Sequence, residues 1–463
     1  MKSLRQVRLA AALVGALAGA SGLLVASPAT AQTVTGALAR KAMLGVAIET
    51  AGGGARILQV APGSTAAQAG LKTGDVITAM NGAPVASNTD LVKQADVLRA
   101  GQAVKLSFLR DGAPSAAEAT AVARPMESYD GAKAVYGAVP FKGGLLRDIL
   151  VTPDRAAKDG PVVYLIQGYY CGTMEGVDKA SAYHGLVQGL ADRGVGVYRV
   201  EKPGMGDSQG GLACVDTDFE TELDAFREGL KTLSAKHGVK AERIVLLGHS
   251  MGGVEAPLLA AETKGLRGVA VYGAVMRNWH DYMQDLFRLQ SFYSMAADPA
   301  ESEALAEAMR PILNRIFMED APLSEIARTS PEAEDLLKQA LWWDGGDQIL
   351  GRSVTYWRGV GNQRLTAAWR DADVPVLAVY GEVDYAAIDD RDHKLIVDVV
   401  NHYRPGTAHY ATLARTGHGM GIEGSPEEAR TGNRAAGGQI QGAVYNADLT
   451  KVVGDWIAGL PSP

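Results

Sequence analysis

Short, nearly uninterrupted apolar runs recur from the middle of the chain to its end, and helix-compatible segments separate them. Six of these runs predict strands, at residues 161–167, 194–200, 243–247, 268–272, 374–380 and 410–414. Strands that helices cover on both faces lose the polar alternation of a half-exposed strand, and strands that alternate with helices form parallel sheets. We therefore predict an α/β domain with a mostly parallel sheet over residues 136–463.

Residues 277–370 interrupt this alternation. They show no clear strand pattern and predict several helices. Five of the six tryptophans of the chain fall in this segment, namely Trp279, Trp342, Trp343, Trp357 and Trp369. We expect a helical lid over the carboxyl edge of the sheet. The alternative is that these aromatic side chains only pack the insertion onto the rest of the domain.

Shorter β-type runs, separated by turn residues, mark a different unit at residues 40–112. Residues 44–48, 57–60 and 104–109 predict strands, and residues 90–98 predict a helix. This pattern indicates a small β-rich domain. Residues 113–135 are rich in Ala, Gly, Pro and charged side chains, and we predict that they form a linker.

The first 31 residues have the pattern of a cleaved export signal. The basic residues Lys2, Arg5 and Arg8 precede an Ala/Leu/Gly/Val run over residues 9–25. The small residues Ala29 and Ala31 lie just before Gln32, where cleavage is expected. The alternative is an uncleaved membrane anchor, which the weak hydrophobicity of this run disfavours. We expect a periplasmic or secreted protein without a membrane span in its mature form.

Composition narrows the class of protein. Of the 463 residues, 47% are hydrophobic and 21% are charged, which is ordinary for globular domains. The formal net charge of −7 gives no basic surface for nucleic acid. The two cysteines, Cys171 and Cys214, are a disulfide candidate in an oxidising compartment. The alternative is a pair of buried free thiols.

The most specific motif is Gly248-His249-Ser250-Met251-Gly252, which directly follows the apolar run at 243–247 and precedes a helix-compatible stretch. Gly-x-Ser-x-Gly between a strand and a helix is typical of the nucleophile elbow, a strained turn that raises the serine hydroxyl above the sheet edge. A side chain at either glycine would clash in such a turn. We predict Ser250 as the nucleophile.

On these residues the chain from about 136 to 460 resembles the α/β-hydrolase superfamily, and in particular its serine aminopeptidase-like and lysophospholipase-like branch with a helical lid. The segment at 201–210 supports this, because it is similar to the family's Asp-x-Pro-Gly-x-Gly-x-Ser loop, with Glu201 in the usual aspartate place. By this resemblance the loop is structural and not catalytic.

The family's chain order is serine, acid, histidine. Asp384 follows the run at 374–380 in a Gly-x-x-Asp phrase, and the resemblance implies that it is the acid. The alternatives are Glu382, Asp389 and Asp390. His418 follows the run at 410–414, so we expect it to be the base. No two histidines have the spacing of a helical metal pair, and no cofactor or metal is expected.

Acyl transfer also needs two backbone N–H donors for the oxyanion. Met251, directly after the nucleophile, is expected to supply one. The second should come from the loop after 161–167, where the family writes His-Gly-x and this chain has Gln167-Gly168-Tyr169, which points to the Tyr169 N–H. Cys171 lies just beyond, so a disulfide to Cys214 would brace this loop.

The phrase ILQVAPGSTAAQAGLKTGDVITAMNGAPV resembles the bacterial PDZ domain. The resemblance implies that an extended peptide adds a strand to a sheet edge and that backbone N–H groups of Leu44, Gly45 and Val46 hold its terminal carboxylate. The alternative is a module that only docks on the catalytic domain or binds an internal segment.

Together these features predict a serine hydrolase that cleaves an ester, as carboxylesterases and lipases do, through a Ser-His-Asp triad and an acyl-enzyme. Its partners would be a small-molecule ester or peptide substrate and a peptide C-terminus at the PDZ module. A peptidase or amidase is the second hypothesis, favoured by the aminopeptidase-like resemblance. The third is a non-catalytic PDZ binding protein, which the presence of serine, acid and histidine in the family's order disfavours.

Overall fold

The computed structural model describes residues 38–157, 159–431 and 443–461, so the predicted signal peptide lies outside the described residues. The chain divides into two compact units, Gly36–Glu127 and a second that holds Ser128–Pro463. Within the described ranges, no helix combines the length and the apolar character needed to cross a bilayer.

The smaller unit is an antiparallel sheet with two short helices. Its elements are β1 Val46–Ala51, β2 Gly54–Val60, α1 Thr65–Gln68, β3 Val76–Met80, β4 Ala83–Pro84, α2 Asn88–Asp96, β5 Ala103–Arg110 and β6 Ala113–Thr120. The strand order is β1-β2-β3-β5-β6, with β4 paired to β3, so β1 lies at an edge of this sheet. Ile57, Ile77, Leu91 and Phe108 are among the side chains of its own hydrophobic core.

The linker prediction is wrong for residues 113–120, because β6 pairs with β5 over its whole length, and for residues 132–135, because β7 begins at Ala132. The two strands are joined by Asp111 and Gly112, which have φ of +50° and +80°. Positive φ at both central residues is typical of the two-residue hairpin turn whose twist matches its strands. The strand β6 is poor in large apolar side chains, so no hydrophobic alternation marks it in the sequence.

The larger unit is built on an eight-stranded sheet. Its strands are β7 Ala132–Phe141, β8 Gly144–Pro153, β9 Val162–Ile166, β10 Gly196–Val200, β11 Ile244–His249, β12 Gly268–Tyr272, β15 Val376–Gly381 and β16 Ala408–Leu413, and β13 Gln348–Ile349 and β14 Arg352–Ser353 form a separate two-stranded ladder. The order is β16-β15-β12-β11-β9-β10-β8-β7, parallel from β16 to β10 and antiparallel at β8 and β7. The predicted fold class is confirmed.

Helices pack on both faces of this sheet. In chain order they are α3 Ala182–Ala191, α4 Phe219–Ala235, α5 Gly252–Glu262, α6 Trp279–Asp285, α7 Ser291–Met295, α8 Pro299–Phe317, α9 Leu323–Ala327, α10 Pro331–Ala340, α11 Val354–Gly361, α12 Leu365–Asp371, α13 Arg391–Tyr403, α14 Pro426–Thr431 and α15 Asp448–Gly459. Almost every residue of the central parallel strands is buried. One hydrophobic core lies on each face, which explains why these strands are continuous apolar runs.

The insertion between β12 and β15 holds helices α6 to α12, a π-helical turn at Leu286–Gln290 and the β13–β14 ladder. Trp357 and Trp369 in this insertion are completely buried, and both belong to the same one of the two hydrophobic cores of the larger unit. Parallel strands end at one edge of a sheet. The loops that follow β9, β11, β15 and β16 therefore meet at that edge, and they carry the predicted site residues.

Candidate active site

Ser250 lies on a left-handed turn between β11 and α5, with φ of +57°. A Cβ on Gly248 would lie 2.2 Å from the carbonyl oxygen of Gly252, and a Cβ on Gly252 would lie 2.2 Å from the carbonyl oxygen of Ile166. Both glycines are therefore sterically required. The turn is closed by hydrogen bonds from Ser250 N to Tyr272 O and from Gly253 N to Ser250 O.

An acid–base pair forms from the two loops that follow β15 and β16. His418 Nδ1 lies 2.8 Å from Asp384 Oδ1 and 3.0 Å from Oδ2, and both side chains are buried. Ala387 N donates a further hydrogen bond to Asp384 Oδ1 at 3.0 Å. Burial alone would raise the pKa of Asp384, but the His418 charge and these hydrogen bonds hold that pKa below its ordinary value.

Gly273, directly after β12, lies against the Asp384–His418 pair, and its neighbour Tyr272 is bonded to the serine turn. Tyr272 O binds Ser250 N. A Cβ on the next residue, Gly273, would lie 2.7 Å from Asp384 Oδ2 and 2.9 Å from His418 Nδ1. The outer nitrogen of the imidazole, His418 Nε2, is buried and makes no hydrogen bond to the described part of the chain. The structure thus brings Ser250, His418 and Asp384 to one place.

The three alternative acids have other partners. Glu382 Oε2 accepts a hydrogen bond from Arg415 N. Asp389 binds Arg277 and Arg391. Asp390 accepts from Tyr410 Oη and pairs with Lys394. Of the four candidate acids, only Asp384 contacts His418 in the described structure.

His249 contributes more than the sequence indicated. Its Nε2 lies 2.9 Å from His418 O and its Nδ1 lies 3.2 Å from Tyr183 Oη. Because a carbonyl can only accept, Nε2 carries the proton and Nδ1 accepts from Tyr183. His249, which directly precedes Ser250, therefore holds the backbone of His418 next to the serine turn. No sequence motif links His249 to Tyr183.

The predicted oxyanion loop lies against the serine. A Cβ on Gly168 would lie 2.9 Å from Ser250 Cβ and 3.1 Å from its Oγ. Cys171, three residues on, is disulfide-bonded to Cys214, which begins the short 3₁₀ turn Cys214–Asp216. The bond therefore joins the oxyanion loop to the chain that precedes α4.

Glu201 anchors the next part of the same loop. Its Oε1 accepts hydrogen bonds from Thr173 Oγ1 at 2.6 Å and from Met174 N at 2.9 Å. Burial raises the pKa of Glu201 to about 7, although these two hydrogen bonds oppose the shift. These contacts agree with the structural role that the sequence predicts for this segment.

Aromatic rings of the insertion continue from the oxyanion loop. The Tyr169 ring meets Trp357 edge-on, with centroids 5.0 Å apart, and Trp357 stacks on Trp279 at 5.0 Å. Trp279 stacks in turn on Tyr282 at 4.6 Å. Such contacts give a rigid apolar wall. Within the described ranges, no group of three or more His, Cys, Asp or Glu side chains has a geometry that could hold a metal ion.

In the smaller unit, a groove of about 280 Å³ runs between β1 and α2. Leu44, Gly45 and Val46 line one side of it, and Leu91 and Val92 line the other. Gly45 has φ of +75°, and a Cβ there would lie 2.2 Å from Ser64 Cβ, so this loop requires glycine. An edge strand beside a helix leaves backbone groups for an added peptide strand.

Comparison with known proteins finds a matching family model in each unit. Residues 42–120 match the family model of the PDZ domain, and residues 175–400 match the model of "Serine aminopeptidase, S33". Periplasmic serine endoprotease DegP of Escherichia coli K12 is 48% identical over 59 residues, and DegQ of the same strain is 43% identical over 67 residues. The matched segment spans only 12% of DegP and 15% of DegQ.

The chain is also similar to two solved structures. Est1E from Butyrivibrio proteoclasticus is 16% identical with a TM-score of 0.41, over 70% of this chain and 97% of Est1E. Proline iminopeptidase from Mycobacterium smegmatis is 18% identical with a TM-score of 0.41, over 70% of this chain and 98% of that enzyme. From the two family matches and the sheet topology, the chain carries a PDZ domain followed by a domain with an α/β-hydrolase sheet that matches the serine aminopeptidase family model over residues 175–400.

Proposed function

We propose that this protein hydrolyses carboxylic esters with Ser250 as nucleophile, His418 as general base and Asp384 as the acid that orients it. The single observation that carries the proposal is the His418–Asp384 pair, which is bonded through Nδ1 at 2.8 Å and leaves Nε2 without a hydrogen-bond partner in the described structure. Serine is a poor nucleophile until a base removes its proton. An imidazole whose Nδ1–H is fixed by a carboxylate presents Nε2 as that base.

In the proposed first step, Ser250 Oγ bonds to the carbonyl carbon of the ester while its proton passes to His418 Nε2. The carbonyl oxygen becomes an oxyanion, which the N–H groups of Met251 and Tyr169 bind. His418 then donates the proton to the leaving alkoxide, which departs as an alcohol. A water molecule next loses its proton to His418 and attacks the acyl-enzyme, and collapse of this second intermediate releases the acid and restores Ser250.

The charges around the oxyanion loop favour an ester over the substrate of an aminopeptidase. Binding a free α-ammonium group calls for an uncommitted carboxylate in the site. Glu222 is fully buried and bound by both Lys202 and Arg352. Burial and the neighbouring Glu222 charge raise the pKa of Glu255 well above its ordinary value, which favours its neutral form. The aromatic wall that begins at Tyr169 suits an apolar acyl group.

A peptidase or amidase is the second candidate function. The observation that favours it is the match of residues 175–400 to the serine aminopeptidase family model. The triad chemistry is the same for both, so the fold alone does not choose between them.

Kinetics on matched substrates tests the proposal. We expect p-nitrophenyl esters of medium-length or aromatic acids to be hydrolysed with at least about tenfold higher kcat/KM than aminoacyl p-nitroanilides. Ser250→Ala should lower ester turnover by about 10³-fold or more, because the nucleophile is lost. A preference for the anilides would select the second candidate, and full ester turnover by Ser250→Ala would reject both.

We also propose that the groove between β1 and α2 binds a peptide C-terminus, with the backbone N–H groups of Leu44, Gly45 and Val46 facing its carboxylate. The support is the PDZ family match and the place of these residues on the groove wall. A periplasmic or secreted location is the third part of the proposal. It is supported by the signal pattern of residues 1–31, the Cys171–Cys214 disulfide and the short match to periplasmic DegP.

A further inference from the structure

We propose that two buried cations, Lys202 and Arg352, are positioning residues that fix and polarise the backbone amides of the oxyanion loop. This inference rests on the proposed function, since it concerns how the second oxyanion donor is prepared. Lys202 lies in the loop after β10, and Arg352 lies in β14 of the helical insertion. Lys202 is at the variable second position of the segment at 201–210, and no motif marks Arg352.

Each cation holds one carbonyl of the loop. Lys202 Nζ donates to Gly168 O at 2.6 Å, and Arg352 Nη1 donates to Tyr169 O at 2.7 Å. The Gly168 carbonyl and the Tyr169 N–H belong to the same planar amide, as do the Tyr169 carbonyl and the Tyr170 N–H. In a trans amide the C=O and N–H bonds point in opposite directions. Fixing both carbonyls therefore fixes the directions of both N–H groups.

A cation on a carbonyl oxygen also strengthens the donor at the other end of the amide. Hydrogen bonds in a chain polarise one another, by roughly 10–30% per bond in condensed-phase estimates. Bonds from a charged donor are about twice as strong as neutral ones. Whichever of the Tyr169 and Tyr170 N–H groups binds the oxyanion, a buried cation is bonded to the carbonyl at the opposite end of the same amide. Gly168, which begins this stretch of the loop, lies beside Ser250.

The two cations share one carboxylate, Glu222 on α4. Glu222 Oε1 lies 2.8 Å from Lys202 Nζ, and Glu222 Oε2 lies 2.8 Å from Arg352 Nη2. All three side chains have zero solvent exposure. Tyr356 closes the cluster, because its hydroxyl donates to Glu222 Oε1 and its ring lies 3.7 Å under the Arg352 guanidinium. Such a cluster holds its members in one arrangement.

A fourth ionisable side chain, Glu255 on α5, is fully buried beside this cluster. Burial and the neighbouring Glu222 charge raise the pKa of Glu255 well above its ordinary value, which favours its neutral form. Burial lowers the pKa of Lys202, but the Glu222 charge opposes this. Each cation is bonded to a carbonyl of the loop, so the opposite, positive end of that amide, its N–H group, is the end that can bind the oxyanion.

Arg352 also connects this loop to the insertion and to the disulfide turn. Its Nη2 donates to Thr217 O at 3.1 Å, directly after the turn that begins at Cys214. One side chain of the insertion therefore fixes the oxyanion loop, α4 and the residues beside the disulfide. The amides of the loop are set correctly only when the β14 segment is docked.

The test compares Lys202→Met, Lys202→Gln and Arg352→Met with Arg147→Met as the matched control. Arg147 forms a buried ion pair with Asp207 and donates to Gly137 O in β7. Turnover of a p-nitrophenyl ester is measured per site labelled by a fluorophosphonate, so misfolded molecules do not count. The carbonyl stretching frequency of a cinnamoyl acyl-enzyme is measured by infrared difference spectroscopy, which reports the strength of hydrogen bonds to the acyl oxygen.

We expect Lys202→Met and Arg352→Met to lower kcat per labelled site by about tenfold, less than the 10²–10³ lost with a whole oxyanion donor. KM should stay within about twofold, the acyl carbonyl frequency should rise, and the pH of half-maximal activity should not move. Lys202→Gln, a neutral donor, should lie between Lys202→Met and the wild type. Arg147→Met should lower stability and leave the carbonyl frequency unchanged.

A wild-type carbonyl frequency and wild-type kcat per labelled site in Lys202→Met and Arg352→Met would overturn the inference, as would equal shifts in Arg147→Met. If Lys202→Met yields no folded protein, Lys202→Gln and Arg352→Met still decide. Failure of the wild type itself to form an acyl-enzyme at Ser250 would instead reject the proposed function.

Discussion

His249 shows how a residue beside the nucleophile supports the site without reacting. Its ring bridges Tyr183 and the carbonyl of His418, and this arrangement needs the neutral imidazole, with one nitrogen donating and the other accepting. Burial and the nearby His418 lower the pKa of His249 to about 4. Protonation of His249 would break the hydrogen bond from Tyr183 and would put a positive charge beside His418.

This pKa makes a prediction about stability. A histidine whose folded-state pKa lies below its unfolded value stabilises the fold above about pH 6.5, and that stability is lost as pH falls towards 4. A shift from 6.5 to about 4 corresponds to about 3 kcal/mol in all. The amide of His249→Gln can still donate to His418 O. We expect the free energy of unfolding of this variant to fall by about 2–3 kcal/mol less than that of the wild type between pH 7 and pH 4. Urea denaturation at a series of pH values measures this.

His402→Gln, an exposed position on α13, is the control and should follow the wild type. His393 is also buried, with its pKa lowered to about 4, so some acid sensitivity should remain in His249→Gln. An unchanged pH dependence in His249→Gln would contradict this account of the bridge.

At the scale of elements, the six strands predicted from apolar runs are all present, with ends shifted by at most a few residues. Three strands in two hairpins, β6 and the β7–β8 pair, were missed or misplaced for a common reason. Their two-residue turns, Asp111–Gly112 and Lys142–Gly143, have positive φ at both residues and are easily overlooked between strands with weak alternation. A search for x-Gly turns flanked by equal strand lengths would have found both.

The candidate triad was predictable because each member follows a strand in a short phrase. The contacts that surround it were not predictable, because Lys202, Glu222 and Arg352 come from three distant elements and meet only in the fold. No local pattern distinguishes a buried lysine from an exposed one. Long-range partners of this kind follow from topology, which sequence patterns determine only coarsely.

The disulfide gives a prediction at this scale. Cys171 and Cys214 close a loop with a sequence separation of 43, which stabilises the fold by about 4 kcal/mol in the chain-entropy model. We expect Cys171→Ser/Cys214→Ser to lower the free energy of unfolding of the hydrolase unit by about 2–4 kcal/mol and to reduce ester kcat more than it changes KM, since the oxyanion loop is released. Wild-type activity and melting temperature in the double variant would contradict the bracing role.

At the scale of the whole molecule, the chain is two units, each with a core made of its own residues. The peptide groove belongs to the smaller unit, and the candidate triad belongs to the larger one. Turnover of a minimal ester should therefore not depend on the groove, whereas capture of a peptide should.

Val92→Glu tests this separation. Val92 lines the groove and is 58% exposed, so a charged side chain there should block an apolar peptide without unfolding the unit. We expect peptide binding, measured by fluorescence anisotropy with a C-terminal peptide library, to weaken by about tenfold, while p-nitrophenyl ester kcat/KM stays within about twofold. Val97→Glu, also exposed but not on the groove wall, is the control. Equal loss of peptide binding in both variants would argue against the groove.

The central claim is that His418 activates Ser250, and the most direct measurement is the rate and position of labelling by a fluorophosphonate. We predict one adduct per molecule, located at Ser250 by peptide mapping. Labelling should be absent in Ser250→Ala and slowed by at least about a hundredfold in His418→Gln, since a general base contributes about 10²–10⁴. No adduct on the wild type, an adduct on another serine, or equal labelling rates in His418→Gln and the wild type would contradict the account.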